Sequence, residues 1–112
     1  MECKFIIATK DHYIGEIRLG LVDLHKDLKK SNEAVYGGGK FKVDDKNKIL
    51  KLYDKSFDFG IPIFDGWEKL KISDDWKGFK IIYTYPSGER YPGRYDNEVI
   101  DLTNKLEYDE DL

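Results

Sequence analysis

Short apolar runs separated by polar turns fill most of the chain, and in several of them apolar and polar side chains alternate. Runs of this length, rich in Ile, Val, Phe and Tyr, are typical of β-strands. The polar turns at residues 11–12 and 44–47 are short enough to join neighbouring runs into hairpins. The pattern predicts five strands, at residues 3–9, 13–19, 40–43, 48–53 and 79–85.

Signals typical of helices occur in three places between and after these strands. Leucines at helical spacing, with Asp23 as an N-cap, predict a short helix over residues 24–30. Asp65, with a glutamate three residues later, resembles a capping box that opens a second helix ending near residue 71. Residues 97–106 show a similar apolar spacing. The order of elements predicts an α+β single domain, with a mixed, largely antiparallel β-sheet and two short helices packed on it.

The character of the chain changes after Pro86. Turn sequences at Ser87-Gly88 and Pro92-Gly93 follow it, and the last six residues are mostly acidic. We therefore expect residues 1–86 to form the main domain and residues 87–112 to be a C-terminal extension packed on it, ending in a mobile acidic tail.

Composition limits the classes of function. A chain of 112 residues with a net charge of -3 forms one domain with a modest core and is not expected to bind nucleic acid. No apolar run approaches the ~20 residues that cross a bilayer, and no secretory signal is present, so no membrane partner is expected. With one cysteine, Cys3, and two histidines, the chain has neither an internal disulfide nor a structural zinc site. We expect a cytoplasmic monomer without metal or cofactor.

His25 is the leading candidate for a reactive group. In the first turn of the predicted helix it would lie among unpaired N–H groups, at the positive end of the helix dipole. That environment favours a bound anion and a neutral imidazole, which can act as a nucleophile or as a general base. The alternative is a surface histidine on an amphipathic helix, and spacing alone favours that alternative.

Three consecutive glycines, residues 37–39, allow the backbone to approach a ligand or another chain segment closely. They match neither a Walker A loop nor a dinucleotide-binding motif, and by themselves they favour a bulge or a packing contact. Lys4, Arg18 and Lys40 lie on three predicted strands, and each could direct a cation at one phosphate site. Solvated surface charges are the default alternative in a lysine-rich chain.

Four motifs follow one another along the chain: Lys4-Phe-Ile-Ile, Leu24-His25-Lys-Asp, Tyr36-Gly-Gly-Gly-Lys40 and Tyr53-Asp-Lys-Ser56-Phe-Asp-Phe-Gly60. Their order resembles the Janus family of small protein phosphohistidine phosphatases. The resemblance covers roughly residues 3–85. Its most specific part is the triple glycine with a basic residue, followed one hairpin later by Tyr-x-x-Ser-x-x-aromatic-Gly.

The resemblance implies a single α/β domain that hydrolyses phosphohistidine, or another phosphoramidate, without metal or cofactor. It implies that His25 is the catalytic residue, and that a loop after Tyr53 binds phosphate largely through backbone N–H groups. The phosphate-binding residues that it implies are Lys4, Arg18, Lys40, Ser56, Phe57 and Asp58.

Three positions depart from the family pattern. Asp54 stands where the family usually has a glycine, Asp58 where it has a small residue, and Lys40 where it has an arginine. An aspartate beside a phosphate repels it unless the side chain turns outward. The leading hypothesis is therefore a metal-independent phosphohistidine phosphatase, in which His25 attacks phosphorus or activates water. The alternatives are a catalytically inactive phosphate- or phosphoprotein-binding module, and a protein that binds a partner through its acidic tail and exposed aromatic residues.

Overall fold

A computed structural model describes residues 1–88 and 94–112, and in these residues the protein forms eight β-strands and three short 3₁₀ turns. The predicted turn at Pro92-Gly93 lies outside the described residues. The strands are β1 (Glu2–Thr9), β2 (Ile14–Val22), β3 (Ala34–Asp44), β4 (Ile49–Tyr53), β5 (Lys69–Ser73), β6 (Lys80–Thr84), β7 (Val99–Asp101) and β8 (Leu106–Asp109). The 3₁₀ turns are His25–Leu28, Asp74–Trp76 and Thr103–Lys105. None of these turns has the length or the apolar character that crossing a membrane requires.

All eight strands belong to one mixed sheet, in the order β7-β6-β4-β3-β1-β2-β5-β8. The pairs β2–β5, β4–β6 and β5–β8 are parallel, and the other pairs are antiparallel. The strands β7 and β8 lie at opposite edges, although only residues 102–105 join them. Because so short a segment spans less than about 20 Å, the sheet curls until its two edges approach each other.

The hydrophobic core fills the inside of the curled sheet. Alternate residues of each strand point into it, so Leu50 and Leu52 are fully buried whereas Lys51 between them is exposed. Leu102, in the segment that joins the two sheet edges, is also fully buried, and its N–H donates to the carbonyl oxygen of Ile81 at 2.8 Å. The core residues are Phe5, Ile7, Ile17, Leu50, Leu52, Phe64, Leu70, Ile72, Ile81, Tyr83, Tyr85, Leu102 and Leu106.

The five predicted strands and the two predicted hairpins are confirmed, but the prediction of an α+β fold with two helices is wrong. Strands account for 49% of the structure and helical turns for 9%, and no α-helix occurs in the described residues. Strand β3 begins at Ala34, so the three glycines lie inside a strand and do not open it. A register shift between β1 and β3 marks a bulge beside these glycines.

The first predicted helix is a single 3₁₀ turn because a side chain binds the backbone group that would continue it. The Lys30 N–H, which would donate to the Lys26 carbonyl oxygen in an α-helix, donates to the Glu33 carboxylate at 2.7 Å. The Leu24 N–H donates to the Asp27 carboxylate at 2.9 Å, as in a capping box. A segment this short does not gain enough internal hydrogen bonds to offset helix nucleation. Leu24, and not Asp23, occupies the N-cap position.

The other two helical patterns are overridden by strand pairing. Asp65 opens no helix, since its carboxylate accepts hydrogen bonds from Lys105 at 2.9 Å and Arg94 at 3.0 Å, and β5 follows. Residues 97–106 hold β7 and a 3₁₀ turn, and they end on the first residue of β8. The predicted mobile tail is likewise wrong as far as Asp109, because β8 pairs with β5.

Candidate functional site

An open pocket of about 400 Å³ lies on the outer face of the sheet, where β1, β3 and two loops meet. Strand pairing places Lys4 on β1 directly opposite Lys40 on β3. The turn after β2 brings His25 to the same place, and the loop after β4 brings Phe57 and Asp58. The pocket is lined by Lys4, Leu24, His25, Lys40, Asp54, Lys55, Phe57 and Asp58.

His25 is buried beside the pocket and is held by the backbone of β3. Its Nε2 lies 2.8 Å from the carbonyl oxygen of Gly39. A carbonyl oxygen can only accept, so Nε2 carries the proton, and the lone pair of the neutral imidazole is on Nδ1. No other residue that the structure describes forms a hydrogen bond with Nδ1. The predicted influence of a helix dipole is wrong, because His25 begins a turn of four residues.

The triple glycine is a close-packing device. A Cβ atom on Gly38 would lie 2.4 Å from the Phe5 carbonyl oxygen, and one on Gly39 would lie 2.4 Å from the Tyr53 carbonyl oxygen. Gly37 has a φ of +91°, in the left-handed region that favours glycine. The same Cβ on Gly38 would be 3.3 Å from the Cδ2 atom of His25, so the absence of a side chain there makes room for the imidazole.

The loop after β4 is fastened to the glycine segment by backbone hydrogen bonds. The Ser56 N–H donates to the Gly38 carbonyl oxygen at 2.9 Å, and the Ser56 Oγ accepts from the Phe59 N–H at 3.1 Å. Ser56 is only 1% exposed, so its hydroxyl supports the loop and does not line the pocket. The buried Tyr83 hydroxyl donates to the Asp54 carbonyl oxygen at 2.5 Å, and burial raises the pKa of this phenol well above its ordinary value.

The tip of this loop has two backbone N–H groups without an acceptor among the described residues, and a highly exposed phenylalanine side chain. The N–H groups of Phe57 and Asp58 donate no hydrogen bond within the described residues. The Phe57 side chain is 96% exposed at the rim of the pocket. A bound anion could therefore accept hydrogen bonds from both N–H groups.

The backbone at Asp54 has a conformation that also suits glycine. Its φ is +64°, which residues other than Gly, Asn and Asp rarely adopt. Its Oδ1 accepts from the Lys55 N–H at 2.9 Å, and its Oδ2 lies 3.6 Å from the Lys40 Nζ. Lys4 on the other side of the pocket donates to the Asp23 carbonyl oxygen at 2.6 Å. The pocket thus combines three lysines with two aspartates, and Glu2 lies 3.8 Å from the Lys4 ammonium at its edge.

No protein-family model, curated protein or solved structure matches this chain. What the pocket can do therefore follows from its own side chains. It combines an imidazole of fixed orientation, lysine ammonium groups and free backbone N–H groups, which are the donors that hold phosphoryl oxygens. Among the described residues, no three His, Cys, Asp or Glu side chains are grouped as metal ligands would be.

Arg18 does not reach this pocket. Its Nη1 and Nη2 atoms donate to the two carboxylate oxygens of Glu33 at 2.7 and 2.8 Å, and Nη1 also donates to the Leu28 carbonyl oxygen at 2.7 Å. The pair fastens the segment after the His25 turn to β2. Glu33 is buried, and sequence reasoning missed it because no motif marks the partner of Arg18.

Glu33 makes folding stability depend on acidity. The Arg18 guanidinium lowers the pKa of the Glu33 carboxyl from 4.5 to about 2. Above pH 4.5 the ionised carboxylate contributes on the order of 3 kcal/mol to the free energy of unfolding. This contribution is lost as the pH falls from 4.5 towards 2.

We expect Glu33→Gln to lower the free energy of unfolding at pH 7 by about 3 kcal/mol, since Arg18 loses its two-pronged bond to a buried carboxylate and keeps only Glu16, 3.1 Å away, as an ion-pair partner. Urea titrations at pH 7 and pH 3 check this, with the exposed Glu107→Gln as control. The difference in the free energy of unfolding between wild type and Glu33→Gln should be smaller at pH 3 than at pH 7. An equal difference at both pH values would contradict the lowered pKa of Glu33.

Proposed function

We propose that the protein is a metal-independent phosphatase that hydrolyses phosphohistidine, with His25 as the catalytic residue. The observation that carries the proposal is the convergence of His25, Lys4 and Lys40, from three separate segments, on one open pocket. The similarity of the motifs to those of the Janus family supports the same activity. The fold gives no such support, because the helices that the resemblance implies are absent from the described residues.

The chemistry starts from the fixed tautomer of His25. With the Nε2 proton donated to the Gly39 carbonyl oxygen, Nδ1 has the lone pair that can attack phosphorus or remove a proton from water. The phosphorus–nitrogen bond of the substrate breaks, and the leaving imidazole takes up a proton from water that enters the open pocket, or on the direct route the proton that His25 has removed from the attacking water. The phosphoryl group passes either to Nδ1 and then to water, or directly to water. Both routes need the same unprotonated nitrogen.

The phosphoryl oxygens are held by Lys4, Lys40 and the free N–H groups of Phe57 and Asp58 in this proposal. Arg18 is left out because Glu33 occupies its guanidinium. Cationic and N–H donors stabilise the charge that is spread over the transferring phosphoryl group. We further propose a cytoplasmic location, which suits an exposed free cysteine.

A second function on the same site is a catalytically inactive module that binds phosphate or phosphoprotein. The observation in its favour is Asp54, whose carboxylate lies 3.6 Å from the Lys40 ammonium and neutralises part of its charge. A carboxylate in this place reduces the charge that Lys40 can offer to a transferring phosphoryl group, while Lys4 and the loop N–H groups can still bind a phosphate. Turnover separates the two functions.

We expect the wild type to release phosphate from a phosphohistidine peptide in the presence of a chelator. Lys40→Met should lower kcat/KM by about tenfold to a hundredfold, because it removes a charge-assisted hydrogen bond. Lys69→Met, which removes an exposed strand lysine remote from the pocket, should leave kcat/KM unchanged. Peptide binding without phosphate release by the folded wild type would refute the phosphatase and support the binding module.

A further inference from the structure

Lysines face one another across neighbouring strands on the outer face of the sheet. Lys42 on β3 lies directly opposite Lys51 on β4, and Lys4 on β1 lies directly opposite Lys40 on β3. Like charges in such cross-strand pairs destabilise a sheet. We name these four residues the lysine face. Because both lysine pairs disfavour pairing of the strands, we infer that these lysines are present for binding and not for stability.

The lysine face is continuous with the His25 pocket. Lys40 lines the pocket, and Lys42 follows on the same side of β3, about 7 Å further along the strand. Lys51 also points outward, because Leu50 and Leu52 on either side of it are fully buried inside the sheet. A ligand anchored in the pocket can therefore extend over Lys42 and Lys51 without turning.

Lys42 and Lys51 form no ion pair within the described residues, and the Lys42 ammonium lies 5.2 Å from the centre of the Tyr53 ring. The nearby acidic group is Asp44 at the end of β3, whose pKa is lowered by hydrogen bonds from Asn47 and, in addition, by the charge of Lys51. Both side chains are exposed. The whole chain has 22 acidic and 19 basic side chains, so the positive charge of the lysine face is opposite in sign to the net charge of the chain.

We propose that the lysine face binds an acidic segment of a protein substrate whose phosphohistidine occupies the pocket. This inference rests on the proposed function and names its substrate class: a phosphohistidine protein with Asp or Glu near the phosphorylated residue. An extended peptide advances about 3.3–3.6 Å per residue. A carboxylate two to four residues from the phosphohistidine therefore reaches Lys42 and Lys51.

A peptide fits the lysine face better than a nucleic acid does. The four lysines span three adjacent strands, about 10 Å across, which matches one extended chain. Asp54 and Asp58 at the pocket repel a phosphodiester backbone, and the net charge of -3 opposes general nucleic-acid binding. A phosphohistidine peptide brings one phosphoryl group to these aspartates and places its carboxylates over Lys42 and Lys51, whereas a nucleic acid brings a phosphate with every nucleotide.

The test compares two phosphohistidine peptides of otherwise identical sequence. One has Glu at the second to fourth positions on each side of the phosphohistidine, and the other has Ser at the same positions. The wild type should show a KM about tenfold lower for the Glu peptide, with a similar kcat. Lys42→Glu and Lys51→Glu should each remove this preference. Lys69→Glu, an exposed lysine of β5, is the matched control and should retain it. An equal KM for both peptides in the wild type, or a preference that survives in both variants, would overturn the proposal.

Stability separates a binding role from a structural one. Lys42→Glu places opposite charges across from each other, so the variant should unfold at the same or higher urea concentration than the wild type. A loss of the preference in a variant that is no less stable supports the proposal. Lower stability of Lys42→Glu would instead show that this lysine serves the fold, and would overturn it.

A binding measurement separates this inference from the phosphatase proposal. Fluorescence anisotropy of an unphosphorylated Glu-rich peptide and of a single-stranded RNA oligonucleotide should show tighter binding of the peptide, weakened by Lys42→Glu. Such binding without phosphate release would refute the phosphatase and leave the lysine face supported. Tighter binding of the RNA would overturn the lysine-face proposal, whatever the outcome for turnover.

Discussion

Replacing His25 with alanine is expected to lower kcat for phosphohistidine hydrolysis by about a thousandfold or more. The variant retains Lys4, Lys40 and the loop N–H groups, so it should still bind the phosphorylated peptide. It lacks the Nδ1 lone pair that attacks phosphorus or activates water. The measurement is phosphate release under saturating peptide, together with peptide affinity by anisotropy.

His12 provides the matched control for this experiment. It lies in the hairpin turn at the other end of β1, and its Nδ1 is 2.6 Å from the Tyr36 hydroxyl. His12→Ala should retain the turnover of the wild type. Equal turnover in His25→Ala and wild type would remove His25 as the catalyst. A His25→Ala protein that neither turns over nor binds would assign His25 to the architecture of the pocket and not to the chemistry.

The largest effect on stability is expected from Gly38→Ala, with a loss of at least about 4 kcal/mol in the free energy of unfolding. Its Cβ would lie 2.4 Å from the Phe5 carbonyl oxygen. Phe5 is fully buried in β1, a central strand, so the backbone there has no room to retreat. Such a loss is a large part of the 5–15 kcal/mol that stabilises an ordinary domain. Urea denaturation checks the value.

Gly78→Ala isolates the cost of backbone conformation from the cost of close approach. Gly78 has a φ of +86°, and a Cβ there would meet no atom within 4 Å. Its substitution should therefore cost only about 1 kcal/mol, the usual penalty for alanine in the left-handed region. If Gly38→Ala proved no more destabilising than Gly78→Ala, the close approach of β1 and β3 would not hold.

Five of the eight strands were predictable because their pattern is local, whereas β5, β7 and β8 were missed and the predicted helices did not form. Leu24 and Leu28 have helical spacing, but Leu28 packs over β2 at Gly20, where a Cβ would lie 2.7 Å from the Leu28 Cδ2. The Leu28 side chain, which suggested an apolar helix face, thus packs against Gly20 on a strand. The parallel pairs β2–β5, β4–β6 and β5–β8 join distant segments and leave no short-range pattern in the sequence.

The candidate site was predictable where it follows from strand alternation. Lys4 and Lys40 face the same pocket because paired residues on adjacent strands share a side of the sheet. Arg18 occupies an outward position as well, but its direction depends on Glu33, which lies in a later segment. Ser56 is held by its N–H, which donates to the distant Gly38 carbonyl oxygen, and its hydroxyl closes its own loop by accepting from the Phe59 N–H. Contacts such as Arg18–Glu33 and Ser56–Gly38 join separate segments, and spacing along the sequence does not reveal them.

The short connection between β7 and β8 has a consequence for the order of folding. These strands complete opposite edges of the sheet, so both edges can be paired at the same time only when the sheet has curled and residues 102–105 span the gap. We expect the second of the two edges to pair in the step in which the sheet closes. Before that step β5 or β6 is an open edge that can pair with another molecule, so the closure that buries Leu102 also guards the folding chain against aggregation.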